Sequence, residues 1–212
     1  MSAAALDHLV VAGATLAQAI EYVADLTGVV ARPGGQHVAM GTHNALARLG
    51  ERVYLELIAI DPVLPRPARP RWFDLDDAAM QSALGDQPRL IAWVARTDDI
   101  VRAVARSTVD PGPVHPMSRG DYRWRITIPD DGSRPGGGVP PTLIQWDVAK
   151  HPADGLPDAG VSLVELAASH PAPGTIRSAL AALGLSDALR VTYGPVPRLA
   201  AMLRTGRGLV TV

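Results

Sequence analysis

Within residues 6–61 the hydrophobic pattern switches between a period of two and a period near 3.6. That switching restricts the chain to a mixed fold of strands and helices. The stretch LDHLVVA reads as a strand, with His8 in phase with Leu6 and Val10. Thr15 then offers an N-cap, Leu16, Ala19, Ile20, Val23 and Leu26 recur at helical spacing, and Gly28 supplies the stop. Val29 and Val30 begin an extended piece that Pro33-Gly34-Gly35 is expected to break. Residues 45–49 and 53–60 read as a hairpin across Gly50-Glu51. Its second strand, VYLELIAI, puts Glu56 in phase with Tyr54 and Ile58. The unit is therefore a βαβββ module with one histidine and one carboxylate on separate strands of one sheet. Two such side chains can meet in space and share a divalent ion.

The same order of elements recurs. A shift of 84 (100 − 16) lays Leu16 on Ile100 and Ala19 on Ala103, and a shift of 160 (176 − 16) lays them on Ile176 and Ala179. The division expected is a first module over 1–61, a proline-rich connector over 62–88, a second module over 89–150 and a third, degenerate one over 151–212, all in one compact unit. Pro62, Pro65, Pro67 and Pro70 stiffen the connector, and the segment WFDLD after it is expected to pack back on the first module. Pro111, Pro113 and Pro116 read as a loop ahead of the strand YRWRITI, and TLIQWDV closes the second module.

Composition narrows the function. With 47% hydrophobic and 19% charged residues the chain is globular, and a net charge of −1 with scattered basic residues gives no reason to expect nucleic acid or an anionic membrane. No cysteine is present, so a metal would need nitrogen and oxygen ligands. The apolar N-terminal stretch lacks a basic leader and is interrupted by Asp7 and His8, so it is not read as a signal peptide, and a cytoplasmic location is expected. His37 is a candidate proton carrier, with His43 as a lesser one, because imidazole titrates near neutral pH. Thr42 and Asn44 either shape the turn beside them or bind a substrate oxygen. Arg123 and Arg125 face opposite to Trp124, and Arg125 is a candidate anchor for a substrate carboxylate. His115, His151 and His170 each neighbour a proline and receive no role. Phosphate loops, nucleophile elbows and HExxH motifs are absent.

The segments LDHLVVAG, GGQHVAMGTHNALARLG, VYLELIAIDP and DYRWRITIPD resemble the glyoxalase-like domains of the vicinal oxygen chelate superfamily. The resemblance spans nearly the whole chain and is most specific over residues 34–62. It implies an α+β fold in which βαβββ modules form curved mixed sheets around a cup. It also implies metal ligands on the first and last strands of paired modules, positions held here by His8 and Glu56. The metal would be Zn, Ni, Mn or Fe. The second module offers Ala92 opposite His8 and Gln145 opposite Glu56, so the ligand set is incomplete. Three readings follow. One is an enzyme with lyase, isomerase or dioxygenase-like chemistry on a small oxygenated molecule, using His37 as proton carrier and Thr42, His43, Asn44, Arg125 and Gln145 around the substrate. The second is a metal-free binder of a small molecule. The third is a degenerate module kept for assembly, and a homodimer is compatible with any of them.

Overall fold

The computed structural model describes residues 4–212. The first module runs β1 (Ala5–Ala12), α1 (Leu16–Thr27), β2 (Arg32–His37), β3 (Thr42–Gly50) and β4 (Val53–Ile60). Thr15 caps α1 by accepting from the Gln18 N–H at 3.1 Å, and Gly28 ends it in the left-handed region at φ 77°. After the connector and α2 (Ala78–Asp86), the second module follows with β5 (Arg89–Arg96), α3 (Ile100–Arg106), β6 (Val114–Arg119), β7 (Tyr122–Thr127) and β8 (Thr142–Trp146). The third has β9 (Ser162–His170), α4 (Pro173–Leu183), β10 (Arg190–Tyr193), β11 (Arg198–Thr205) and β12 (Gly208–Thr211). No helix among the described residues is long and apolar enough to cross a membrane.

Two details of the sequence reading need correction. Pro33-Gly34-Gly35 does not break the extended piece, because β2 runs through it with a register shift between Pro33 and Gly35. The later part of the proline-rich loop before residue 122 is in fact strand β6, which includes Pro116, while Pro111 and Pro113 stay outside it. Both are edge strands, where a residue without an N–H costs no ladder hydrogen bond.

The first two modules share one eight-stranded sheet in the order β2-β3-β4-β1-β5-β8-β7-β6. Within each, the first strand pairs in parallel with the last, β1 with β4 and β5 with β8, and the antiparallel β1–β5 pair joins the modules. The third module departs from this plan. Its first strand lies between β10 and β11, so its last strand is displaced to the edge of a separate sheet ordered β10-β9-β11-β12. This is the physical form of its degeneracy.

Period-two alternation gives the large sheet two apolar faces. Leu9, Val11, Leu55, Leu57 and Trp93 pack against α1 and the second sheet. Val10, Ile58, Val94, Trp124 and Ile126 face the other way, into the concave side. There the connector and α2 lay Trp72, Phe73, Leu75 and Leu84 over the sheet. WFDLD thus closes the cup, rather than bracing the first module alone.

Candidate functional site

The concave face holds a buried chain of polar side chains. His8 and Glu56, on neighbouring strands, bring Nε2 and Oε2 to 3.5 Å. Asn44, on the next strand, donates from Nδ2 to Glu56 Oε1 at 2.5 Å. Arg119, from the far edge strand β6, donates from one nitrogen to Asn44 Oδ1 at 2.9 Å and to His37 Nε2 at 3.0 Å. Because β2 and β6 are opposite edges of the sheet, these bonds show how far it curves: its two ends meet over the cup. With Nε2 accepting, neutral His37 carries its proton on Nδ1, which faces Thr42 Oγ1 at 3.2 Å.

Behind His8 lies a second set of partners that the sequence reading missed. The fully buried Asp7 accepts from His8 Nδ1 at 2.7 Å, from Trp146 Nε1 at 2.9 Å and from His151 Nε2 at 3.1 Å. His151 is oriented in turn by Ala153, whose N–H donates to its Nδ1, and by Asp154, which accepts from its backbone N–H. The His8 ring stacks on Tyr54 with centroids 4.4 Å apart. Proton inventory then fixes the tautomers: Asp7 takes the Nδ1–H of His8, so Nε2 points at Glu56.

The electrostatics follow from burial. Desolvation is the chief cause that pushes His37 down to about 4; the charge of Glu56 opposes it and that of Arg119 adds to it. Burial alone would raise the Asp7 carboxyl, but hydrogen bonds from His151 and His8, together with their charges, hold it well below the usual carboxylate range. Burial, and after it the charges of Asp7 and Glu56, push the Tyr54 hydroxyl well above its ordinary value.

The structure separates the remaining candidates from this cluster. His8, His37, Asn44 and Glu56 line one cavity together with Arg119, and Thr42 sits behind His37. His43 points to the other face of β3, with Nδ1 3.6 Å from Asp61 Oδ2. Arg125 forms an exposed bidentate pair with Asp147. Gln145 accepts from the backbone N–H of Ile100 and so caps α3. Arg119 was missed because it lies in a segment read as loop. Asp7 was missed because a bulge moves it out of strand phase: β1 pairs Leu6 with Ala95 and His8 with Val94, leaving Asp7 as the extra residue.

The cup, the paired modules and the matching ends of β1 and β4 have a counterpart among known proteins. A family model described as a glyoxalase-like domain matches residues 6–184. The chain belongs to the glyoxalase-like domain family. The fold of this glyoxalase-like protein is that of the vicinal oxygen chelate superfamily. It is similar to a hypothetical protein from Staphylococcus aureus at 16% identity and a TM-score of 0.61, over 91% of this chain and 87% of that one. Methylmalonyl-CoA epimerase from Mycobacterium tuberculosis matches at 22% identity and a TM-score of 0.40, over 68% of this chain and 88% of that one. A variant of 4-hydroxymandelate synthase from Streptomyces coelicolor matches at 15% identity and a TM-score of 0.49, over all of this chain and 62% of that one. No curated protein matches the chain.

Superfamily members often use divalent metals, and such an ion needs at least three nitrogen or oxygen ligands from the protein. His8 Nε2 and Glu56 are competent ligands. The next donors along, Asn44 Oδ1 and His37 Nε2, both accept from Arg119. An ion held by His8 and Glu56 would therefore have a guanidinium for a neighbour, where a third nitrogen or oxygen ligand is required. Among the described residues no group of three or more His, Cys, Asp or Glu side chains is arranged around a metal position. This donor set does not fit a resident divalent ion.

Proposed function

We propose that this chain binds a small carbonyl- or carboxylate-bearing molecule in its cup and moves a proton on it through its own side chains. The observation that carries the reading is the buried chain Asp7–His8–Glu56–Asn44–Arg119–His37, which sets a carboxylate, an imidazole and a guanidinium around one cavity. Glu56 takes a proton from the carbon next to the carbonyl. The C–H electron pair moves to form an enolate, and the developing oxygen charge is stabilised by Arg119. His8 Nε2, 3.5 Å from Glu56, shares the proton and returns it to carbon. Asp7 stabilises the imidazolium in that interval, as a buried carboxylate at Nδ1 does. His37, neutral and occupied at both nitrogens, positions Arg119 and Thr42 rather than carrying the proton as the sequence suggested.

One observation favours the non-catalytic binder instead: Glu56, the base of the catalytic reading, is already engaged at Oε1 by Asn44 Nδ2. The cavity beside Glu56 is only about 30 Å³, room for roughly one water, with Trp72 and Phe73 across it. Both readings are tested by one experiment. The protein is incubated with 2-oxo and 2-hydroxy acids in D2O, and exchange of the adjacent C–H is followed by proton NMR. The enzyme reading expects exchange that falls at least about 100-fold in Glu56→Gln. Saturable line broadening without exchange supports the binder, and neither effect overturns the proposal.

A further inference from the structure

Trp72 and Phe73 do more than cover the polar cavity. On their other side lies a second space lined by Ile128, Pro111, Pro129, Pro140 and Thr142, and the two share Trp72, Phe73 and Ile126 as a common wall. Two of the polar groups bordering the second space are already committed. Arg134 donates to Asp74 Oδ2 and to the Ile91 carbonyl, and Thr127 Oγ1 accepts from the Leu143 N–H. Apart from the Thr142 and Ser133 side chains, what it offers a ligand is apolar.

The wall itself has two features that a settled core does not. Phe73 and Asp74 lie consecutively in the left-handed region, at φ 62° and 58°, where non-glycine residues are uncommon. The indole Nε1 of Trp72 is buried and has no acceptor among the described residues. The segment is held there by the Asp74 carboxylate on Arg134 and by the Asp74 N–H on the Gly132 carbonyl. As folded, the free volume is about 30 Å³ on the polar side and about 20 Å³ on the apolar side, so neither half alone admits more than roughly a water.

We infer that the two spaces are the halves of one binding site, divided by a displaceable Trp72–Phe73 wall, for a ligand with an oxygenated head and an unbranched apolar tail. The head lies against Arg119 and Glu56, which rests on the function proposed above. The tail crosses the position of the Phe73 ring to reach Ile128 and Thr142. Displacing the wall releases the left-handed backbone, and an oxygen of the head, in the half that Trp72 also lines, gives Trp72 Nε1 its missing acceptor.

The test uses straight-chain 2-oxo acids of three to ten carbons, with primary alcohols of the same lengths, in calorimetric titrations. Affinity for the acids is expected to rise about fourfold per methylene over several carbons. Phe73→Gly, which removes the ring and suits the left-handed backbone, should tighten every acid, and the longer acids by more than the three-carbon one. Thr142→Trp, which fills the apolar half, should abolish the gain with length. If short acids bind through Arg119 but affinity is flat with length in wild type and Phe73→Gly, the inference is overturned and the proposed function stands. If acids bind no better than alcohols yet both improve with length, the apolar half stands and the head-group reading falls. If nothing binds at any length, the inference is overturned.

Discussion

His151 Nε2 donates to Asp7 Oδ2 at 3.1 Å across 144 positions of sequence, tying the start of the third module to the first strand of the first. Both side chains are fully buried, and Asp7 also accepts from His8 and Trp146. The catalytic histidine proposed here is thus aligned, through Asp7, by a residue that packs on Tyr54 and Trp146 of the same cavity.

His151→Ala should therefore act on two observables. Deleting one partner of a buried carboxylate costs about 1–3 kcal/mol, read as a lower urea midpoint at unchanged slope. It should also weaken the Nδ1–H of His8, read by nitrogen NMR of the ring. A midpoint shift with the His8 ring unchanged would reduce His151 to a packing residue. Acid stability gives an independent check on the same carboxylate. The folded Asp7 pKa lies below its ordinary value of 3.8, so its stabilisation is complete above that pH and is lost as pH falls toward the folded value. The decline in melting temperature below about pH 4 should be shallower in Asp7→Asn than in wild type.

The opposite kind of group gives a second pH window. His37 is held at about 4 against 6.5 when unfolded, so between those values the unfolded chain binds the extra proton. Stability should be complete above about pH 6.5 and fall as pH drops toward 4, by roughly 3 kcal/mol in all. His37→Gln keeps an acceptor for Arg119 and removes the titration, so its urea midpoint should change less between pH 7.5 and 4.5. Equal slopes for the two proteins would mean that His37 is not the neutral, desolvated group described.

Metal binding separates the donor set seen here from the one the family leads one to expect. Melting temperature should stay constant with Zn, Mn or Ni at 100 μM and after dialysis against chelator. Binding at a hundredfold excess over Kd would raise it by roughly 5 °C or more. Such a rise in wild type, lost in Glu56→Gln, would make Glu56 a ligand and require Arg119 to move aside.

What the sequence revealed, and what it hid, follows from range and phase. His8 and Glu56 were legible because His8 keeps the phase of Val10 (though the bulge sends Leu6 to the other face) and Glu56 that of Ile58, and parallel pairing of β1 with β4 brings the two phases to one face. Helix α1 was legible because its cap, its apolar stripe and its terminal glycine are all local. Asp7 was not, since the bulge that turns it inward depends on pairing with β5. Arg119 was not, since only the curvature of the whole sheet carries it 82 positions back to His37. Gln145 was set opposite Glu56 only by its place on the closing strand of the second module, yet its side chain reaches the start of α3, because side-chain direction is not set by position in a repeat.

Gly34 in β2 lacks a side chain for the sake of a neighbour rather than of its own backbone. A Cβ built on Gly34 would lie 2.2 Å from Asn44 Oδ1 and 3.1 Å from Leu46 Cγ, with no positive φ to complicate the comparison. The missing side chain makes room for the amide that links Glu56 to Arg119. Gly34→Ala should push Asn44 out of both hydrogen bonds, costing about 1–3 kcal/mol and lowering affinity for a carboxylate ligand. Gly85→Ala, in α2 with nothing within 4 Å of the new methyl, should instead stabilise by roughly 0.5–1 kcal/mol. A double-mutant cycle decides whether Asn44 is the cause. In an Asn44→Ala background the clashing oxygen is gone, so the cost of Gly34→Ala should shrink by well over the roughly 0.5 kcal/mol that independent sites show. Additive costs would place the strain at Leu46 and leave the Asn44 bridge outside the effect.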